Sequence, residues 1–127
     1  MRKSLENLIM ERNLKDRIIL TGSLSYEKTI EEMQSAKVLL HTSTFEGQAL
    51  VITEALAAGL YVVSYPVGIS AGLSSSKLMT GDTKEKLTGL VTAILQKSAL
   101  DFSSETPFKI EDTCLSNYSL YKSLINI

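Results

Sequence analysis

The sequence predicts an α/β domain: a parallel sheet with helices on both faces. Three observations carry this. Short apolar, β-branched runs at 17–21, 38–40 and 60–65 alternate with longer segments of helical spacing, the pattern left by parallel strands joined through helices. Each run exits into a polar or glycine-rich stretch, at Gly22-Ser23, 42–47 and 67–72. Ligands of such sheets sit beyond the carboxyl ends of the strands, so the three exits are expected to converge on one cleft. The middle exit opens an apolar helix, and a strand–turn–helix junction offers free N–H groups and a favourable dipole to an anion.

The elements follow in order. Leu5, Leu8, Ile9 and Arg12 recur at helical spacing in a short amphipathic helix over 4–13. Lys15-Asp16 lead out of it, and 17–21 is a strand that Gly22 ends. That glycine is either a plain turn or a point of close backbone approach to a ligand. Ser25 caps a helix over 26–36, with Lys28 where a capping box has Glu; Ile30 and Met33 face inward, Glu27, Glu31 and Glu32 outward. Val38-Leu39-Leu40 is a buried strand ending at His41, the single histidine. No Cys or carboxylate stands at ligand spacing from it, so no metal site is expected. One histidine and one distant cysteine assemble no Ser-His-Asp or Cys-His machinery. His41 is read as structural, with a hydrogen bond to a ligand as the other option.

The central stretch, TSTFEGQALVITEALAAG over 42–59, organises the rest. Leu50, Ile52, Ala55, Leu56 and Ala58 recur as in a buried helix, and Gly59 sits where a C′ glycine belongs. Glu46 lies just before this helix and Glu54 inside it, on the order of 10 Å along an axis rising 1.5 Å per residue. A nucleoside diphosphate resting its phosphates on the amides of Gly47, Gln48 and Ala49 would bring its ribose hydroxyls to Glu54. Glu46 would face the group beyond the phosphates. A plainer reading stands beside this one. The dipole favours Glu at a helix start, and a mid-helix Glu is usually solvated. Ile52, Ala55 and Leu56 around Glu54 argue against a mostly exposed helix.

The strand over 60–65 stops at Pro66, and Gly68 and Gly72 are expected to keep the following loop flexible. Lys77 is read as a solvated surface lysine, with a phosphate contact as the alternative, and Leu78-Met79 as a short strand or a turn. Asp82 and Glu85 have the form of a capping box. The helix they open turns Leu87, Leu90, Val91, Ile94 and Leu95 inward, and Gly89 weakens it. A linker over 98–107 is anchored by Leu100 and Phe102. A tail helix over 108–127 spaces Cys114, Tyr118, Tyr121 and Leu124-Ile125 for packing on the domain.

The 127 residues, 44% of them hydrophobic, suffice for one domain with a real core. A net charge of −1 leaves no electrostatic footprint for nucleic acid or an anionic membrane. Cys114, the single cysteine, excludes an intramolecular disulfide and is read as a packing residue. No apolar run approaches the roughly 20 residues of a membrane span and no signal sequence is visible, so a cytoplasmic location is expected.

Phe45-Glu46-Gly47, Leu50-Val51 and Glu54-Ala55-Leu56-Ala57-Ala58-Gly59 together resemble the signature of group 1 (family 4) glycosyltransferases of the GT-B fold. The likeness continues through Ile18-Ile19-Leu20-Thr21-Gly22 before it and Tyr61-Val62-Val63-Ser64 after it. The resemblance implies the C-terminal, donor-binding domain of that fold, a Rossmann-like parallel sheet truncated at its N-terminal side. It implies transfer of a hexosyl group from a nucleotide diphosphate sugar to an acceptor hydroxyl, with retention and without metal or cofactor. Glu46 would be the catalytic residue near the reacting carbon and Glu54 would bind the ribose. Gly22, Thr44, Gly47, Gln48, Ala49 and Leu50 would complete the donor site. An acceptor sugar or lipid-linked glycan would be held by a missing N-terminal domain, with the full-length protein cytoplasmic or peripheral to the membrane. The chain alone is expected to bind nucleotide weakly and to be inactive.

Three departures from the family pattern bear on this. Gln48 and Ala49 replace a common Phe-Gly pair. The run 66–73 lacks the Glu that often follows the next strand, and the basic pair that neutralises the phosphates in that family, normally upstream of where this sequence starts, has no match in it. A non-catalytic nucleotide-binding or regulatory α/β module is the alternative these departures allow. A receiver-like interaction domain would need an acidic cluster at its strand ends, for which Asp16 with Asp82 is a poor candidate.

Overall fold

The computed structural model describes residues 1–105; the tail helix expected over 108–127, with Cys114 and its tyrosines, lies outside them. Three parallel strands, β1 (Val38–His41), β2 (Tyr61–Ser64) and β3 (Leu78–Thr80), form one sheet in the order β1-β2-β3. The helices are α1 (Arg2–Glu11), α2 (Tyr26–Ser35), α3 (Leu50–Ala57) and α4 (Lys84–Leu95), with a 3-10 turn at Gly68–Ala71 between β2 and β3.

Side chains alternate across the strands, which divides the core into two layers. On one face Leu39, Val62 and Leu78 pack against Ile52, Ala55 and Leu56 of α3 and Ile30 and Met33 of α2. On the other, Val38, Tyr61, Val63 and Met79 pack against Leu87, Leu90, Val91 and Ile94 of α4. The expected α/β class, with helices on both faces of a parallel sheet, is therefore the one observed. β2 is buried along its whole length because a layer covers it on each side. That explains why its sequence is a continuous apolar run rather than an alternating one.

Caps and turns set the element ends. Ser25 accepts from Lys28 N at 3.3 Å, the expected N-cap of α2. Gly59, at φ +87, closes α3: its N–H bonds Leu56 O at 3.0 Å and that of Leu60 bonds Ala55 O at 2.9 Å. This is the paired pattern of a Schellman C-cap. Leu78–Thr80 resolves as a strand.

Several expectations are corrected. Residues 17–21 form no strand. The Arg17 and Ile18 amides turn back onto Leu14 O, and Leu20 O accepts from the Arg2 guanidinium at 2.9 Å. Ile18 and Leu20 line an apolar hollow with Leu5, Leu8 and Ile9 of α1, and among the described residues the outer edge of β1 has no strand partner. The cap of α4 is Thr83 rather than Asp82, with Thr83 Oγ1 accepting from Lys86 N at 3.2 Å. Leu95, expected inward, is 55% exposed. The loop after Pro66 is pinned rather than flexible: Ser70 Oγ donates toward Tyr65 O and Val67 O and accepts from Val67 N.

Lys77 is also corrected, being buried at 2% exposure. Its ammonium donates to Ser103 O, lies 3.9 Å from Asp101 Oδ2, and approaches the Tyr61 ring at 5.8 Å. Residues 101–105 are thus a strap rather than a free linker. Glu105 N bonds Leu56 O at 3.0 Å, and the Ser75 and Ser76 hydroxyls donate to the Glu105 carboxylate. The strap crosses the sheet at the starts of β2 and β3, opposite the strand ends where ligands of α/β sheets bind.

Candidate functional site

At the carboxyl ends of the strands two of the three predicted exits meet. The loop before α3 and the turn after β2 are joined. Ile69 N donates to Gln48 O at 3.1 Å, and a Cβ on Gly68 (φ +52) would lie 3.0 Å from the Gln48 carbonyl carbon. The first exit does not join them. Gly22 adopts φ +72, and among the described residues the one group within 4 Å of its would-be Cβ is the Arg2 guanidinium.

α3 begins later than the periodicity indicates. Gly47 and Gln48 belong to the loop, and Ala49, in the left-handed region at φ 55 and ψ 54, is the N-cap. A non-glycine residue there costs about 1–2 kcal/mol, and such strain is held where surrounding structure enforces it. Here the packing of Gly68 against Gln48 and Ala49 does so. Ile52 N bonds Ala49 O at 3.0 Å, while no side chain caps the amides of Leu50 and Val51 before it and the first turn carries no acidic residue. The helix start is therefore electropositive. Because the helix starts at Leu50, Glu54 lies only about 6 Å along the axis at 1.5 Å per residue, closer than the sequence implies.

Glu46 lies near a group the sequence did not pair with it. Its Oε1 lies 3.4 Å from Nε2 of His41, with side-chain exposures of 33% and 12%. Glu54 is half-buried on α3. Gly47 has nothing within 4 Å of a would-be Cβ, leaving its backbone approachable. Leu50 is 59% and Phe45 92% exposed, so the rim of the loop presents apolar side chains to solvent. Thr44 points elsewhere, lining a hollow of ≈ 460 Å³ with Leu40, Thr42, Tyr65, Lys84, Leu87 and Thr88 beside α4. Neither Glu46 nor Glu54 lines that hollow.

Ser64 is the residue that sequence reasoning missed. It ends β2 in register with His41 and has no exposed surface. A hydroxyl closing a strand otherwise made of Tyr61, Val62 and Val63 was the available signal. Among the described residues no group of three or more His, Cys, Asp or Glu comes together as a metal site, and no helix is long and apolar enough to cross a membrane.

Comparison with known protein families gives one finding. The family model described as "Glycosyl transferases group 1" matches residues 1–79, which contain both carboxylates, the loop between them and the start of β3. No curated protein and no solved structure matches the chain.

Proposed function

The chain belongs to the group 1 glycosyltransferases, and from that premise we propose that residues 42–59 bind the nucleotide diphosphate sugar of a retaining hexosyl transfer. The observation that carries the reading is the uncapped start of α3 standing between Glu46, in contact with His41, and Glu54 about one turn along the helix. The diphosphate rests on the first amides of α3, where the dipole favours negative charge. Glu54 accepts hydrogen bonds from the ribose hydroxyls, and Glu46 faces the sugar. During transfer the same amides stabilise the charge that develops on the leaving diphosphate, while the acceptor hydroxyl attacks from the same face. The family implies an acceptor as well as a donor, and the acceptor is held by parts outside this chain.

Calorimetry of the 127-residue chain against uridine, guanosine and adenosine diphosphates tests the reading. At least one is expected to bind, and Glu54→Gln is expected to weaken it by about tenfold or more, the worth of a hydrogen bond to a charged group. No binding by any of the three, or unchanged affinity in Glu54→Gln, would refute it. The chain alone is expected to transfer nothing, so measurable sugar transfer would contradict the division of labour proposed here.

The absence of Glu from the run 66–73 favours a second reading, a nucleotide-binding or regulatory module without chemistry. Replacing Glu46 in a longer protein containing this domain separates the two. Lost transfer with retained nucleotide binding supports the enzyme; no transfer by the unaltered protein supports the module.

A further inference from the structure

His41 and Ser64 end neighbouring strands as register partners, so both side chains project from the sheet face that α3 covers. His41 Nδ1 and Ser64 Oγ are each buried with no hydrogen-bond partner among the described residues. Two such atoms on register partners of neighbouring strands are unusual, since nearly all buried polar atoms are satisfied. Both are shut off from solvent, so a ligand does not reach either one, and Ser64 is no nucleophile. The ring's other nitrogen, Nε2, faces Glu46 at 3.4 Å, a few tenths of an ångström beyond a formed N–H···O bond. An ionised carboxylate only accepts, so it favours the tautomer with the proton on Nε2. That tautomer leaves Nδ1 an acceptor, and its register partner Ser64 carries a hydroxyl with a proton to give, free to turn between staggered positions.

We propose that Ser64 and His41 are positioning residues for Glu46. Ser64 Oγ–H donates to His41 Nδ1, this fixes the proton on Nε2, and Nε2–H holds the Glu46 carboxylate beside the start of α3. What Glu46 does once held rests on the donor-site reading; how it is held does not. The relay explains why a strand that is otherwise wholly apolar ends in a buried serine, and why the histidine opposite carries one nitrogen in the core.

The chain has a single histidine, so nitrogen-15 NMR of the full chain labelled at histidine reads this ring without ambiguity. At alkaline pH the expected spectrum is that of the Nε2–H tautomer with a hydrogen-bonded Nδ1. Ser64→Ala is expected to shift the Nδ1 resonance toward that of a free acceptor. A dominant Nδ1–H tautomer in the unaltered chain overturns the proposal, and this measurement needs no variant to fold. An Nδ1 resonance unmoved in Ser64→Ala also overturns it.

A second pair of variants tests the hold on Glu46 through binding of uridine diphosphate glucose, guanosine diphosphate mannose or adenosine diphosphate glucose. His41→Gln keeps an N–H near the Nε2 position and is expected to bind within about threefold of the unaltered chain. His41→Asn keeps only the inner nitrogen and is expected to bind about tenfold more weakly, the loss of one charge-assisted hydrogen bond. Equal affinities in the two variants contradict the hold on Glu46. If no sugar nucleotide binds, the donor-site reading fails while the tautomer spectrum still decides the relay.

Discussion

Gly68→Ala tests whether the turn after β2 shapes the loop before α3. Gly68 holds φ +52, and a Cβ there would meet the Gln48 carbonyl carbon at 3.0 Å, its oxygen at 3.1 Å and the Ala49 Cβ at 3.4 Å. An L-residue in the left-handed region costs about 1–2 kcal/mol. Relieving the contacts pushes Gln48 away and weakens the bond from Ile69 N to Gln48 O, worth about 1 kcal/mol. The expected loss is therefore about 2–3 kcal/mol in urea unfolding followed by circular dichroism. Gly72 is the internal control. It lies in the same loop but has nothing within 4 Å of a would-be Cβ and no positive φ. Gly72→Ala is expected to be neutral or to stabilise by up to about 1 kcal/mol through the unfolded chain. Equal effects at the two positions, or a Gly68→Ala loss below about 0.5 kcal/mol, within the scatter of ordinary surface substitutions, would refute the claim that this turn braces the loop before α3.

Other consequences concern the strap and the caps. Lys77→Ala should cost about 2–4 kcal/mol by emptying a buried site, whereas Lys77→Met should lie within about 1 kcal/mol of the unaltered chain, because a similar apolar volume replaces a buried charge; equal losses in chemical denaturation would contradict the burial of this side chain. Hydrogen bonds from Ser75 and then Ser76 hold the Glu105 carboxyl below its ordinary value of 4.5. The unfolded chain binds more protons in that window, so this contribution is whole above about pH 4.5 and is lost as pH falls through the lowered value. Glu105→Gln should flatten the acid limb of a stability–pH curve, and an unchanged limb would count against the contact. Thr83→Ala should cost about 1 kcal/mol as a lost N-cap, while Asp82→Ala, which removes only an exposed 3.5 Å contact with Lys86, should cost about 0.5 kcal/mol or less; the reverse ranking in thermal unfolding would restore Asp82 as the cap.

Much of the fold was legible because its signals are local. The inward faces of α2 and α4, the buried run of β2 and the C′ glycine of α3 each follow from spacing within a dozen residues. What failed depended on partners distant in sequence. The run at 17–21 has strand composition, but a strand exists only with a ladder partner, and here α1 takes up Ile18 and Leu20. The start of α3 moved to Leu50 because Gly68 and Ile69, some twenty positions on, hold Gln48 and Ala49 in an arrangement that no local propensity favours. Lys77 has the composition of a surface residue, and its burial depends on the strap around Ser103.

The candidate site divides along the same line. Glu46 and Glu54 could be read as a pair from the sequence, since their spacing along the chain is short, although the start of the helix between them could not. The placement of Ser64 opposite His41 follows from strand register, and the approach of Glu46 to that ring from the path of the loop after β1, neither of which the sequence states. Thr44 sits only two residues before Glu46, yet it lines the hollow on the opposite side of the sheet.

The central claim is that phosphates settle on the first amides of α3 between two carboxylates. Nitrogen-15 amide mapping of the chain during titration with a nucleoside diphosphate measures this directly. The largest shifts are expected at Gly47, Ala49, Leu50 and Val51, with smaller ones near Glu54. Shifts concentrated instead at Thr44, Tyr65, Lys84 and Thr88 would place the nucleotide in the hollow beside α4 and contradict the account.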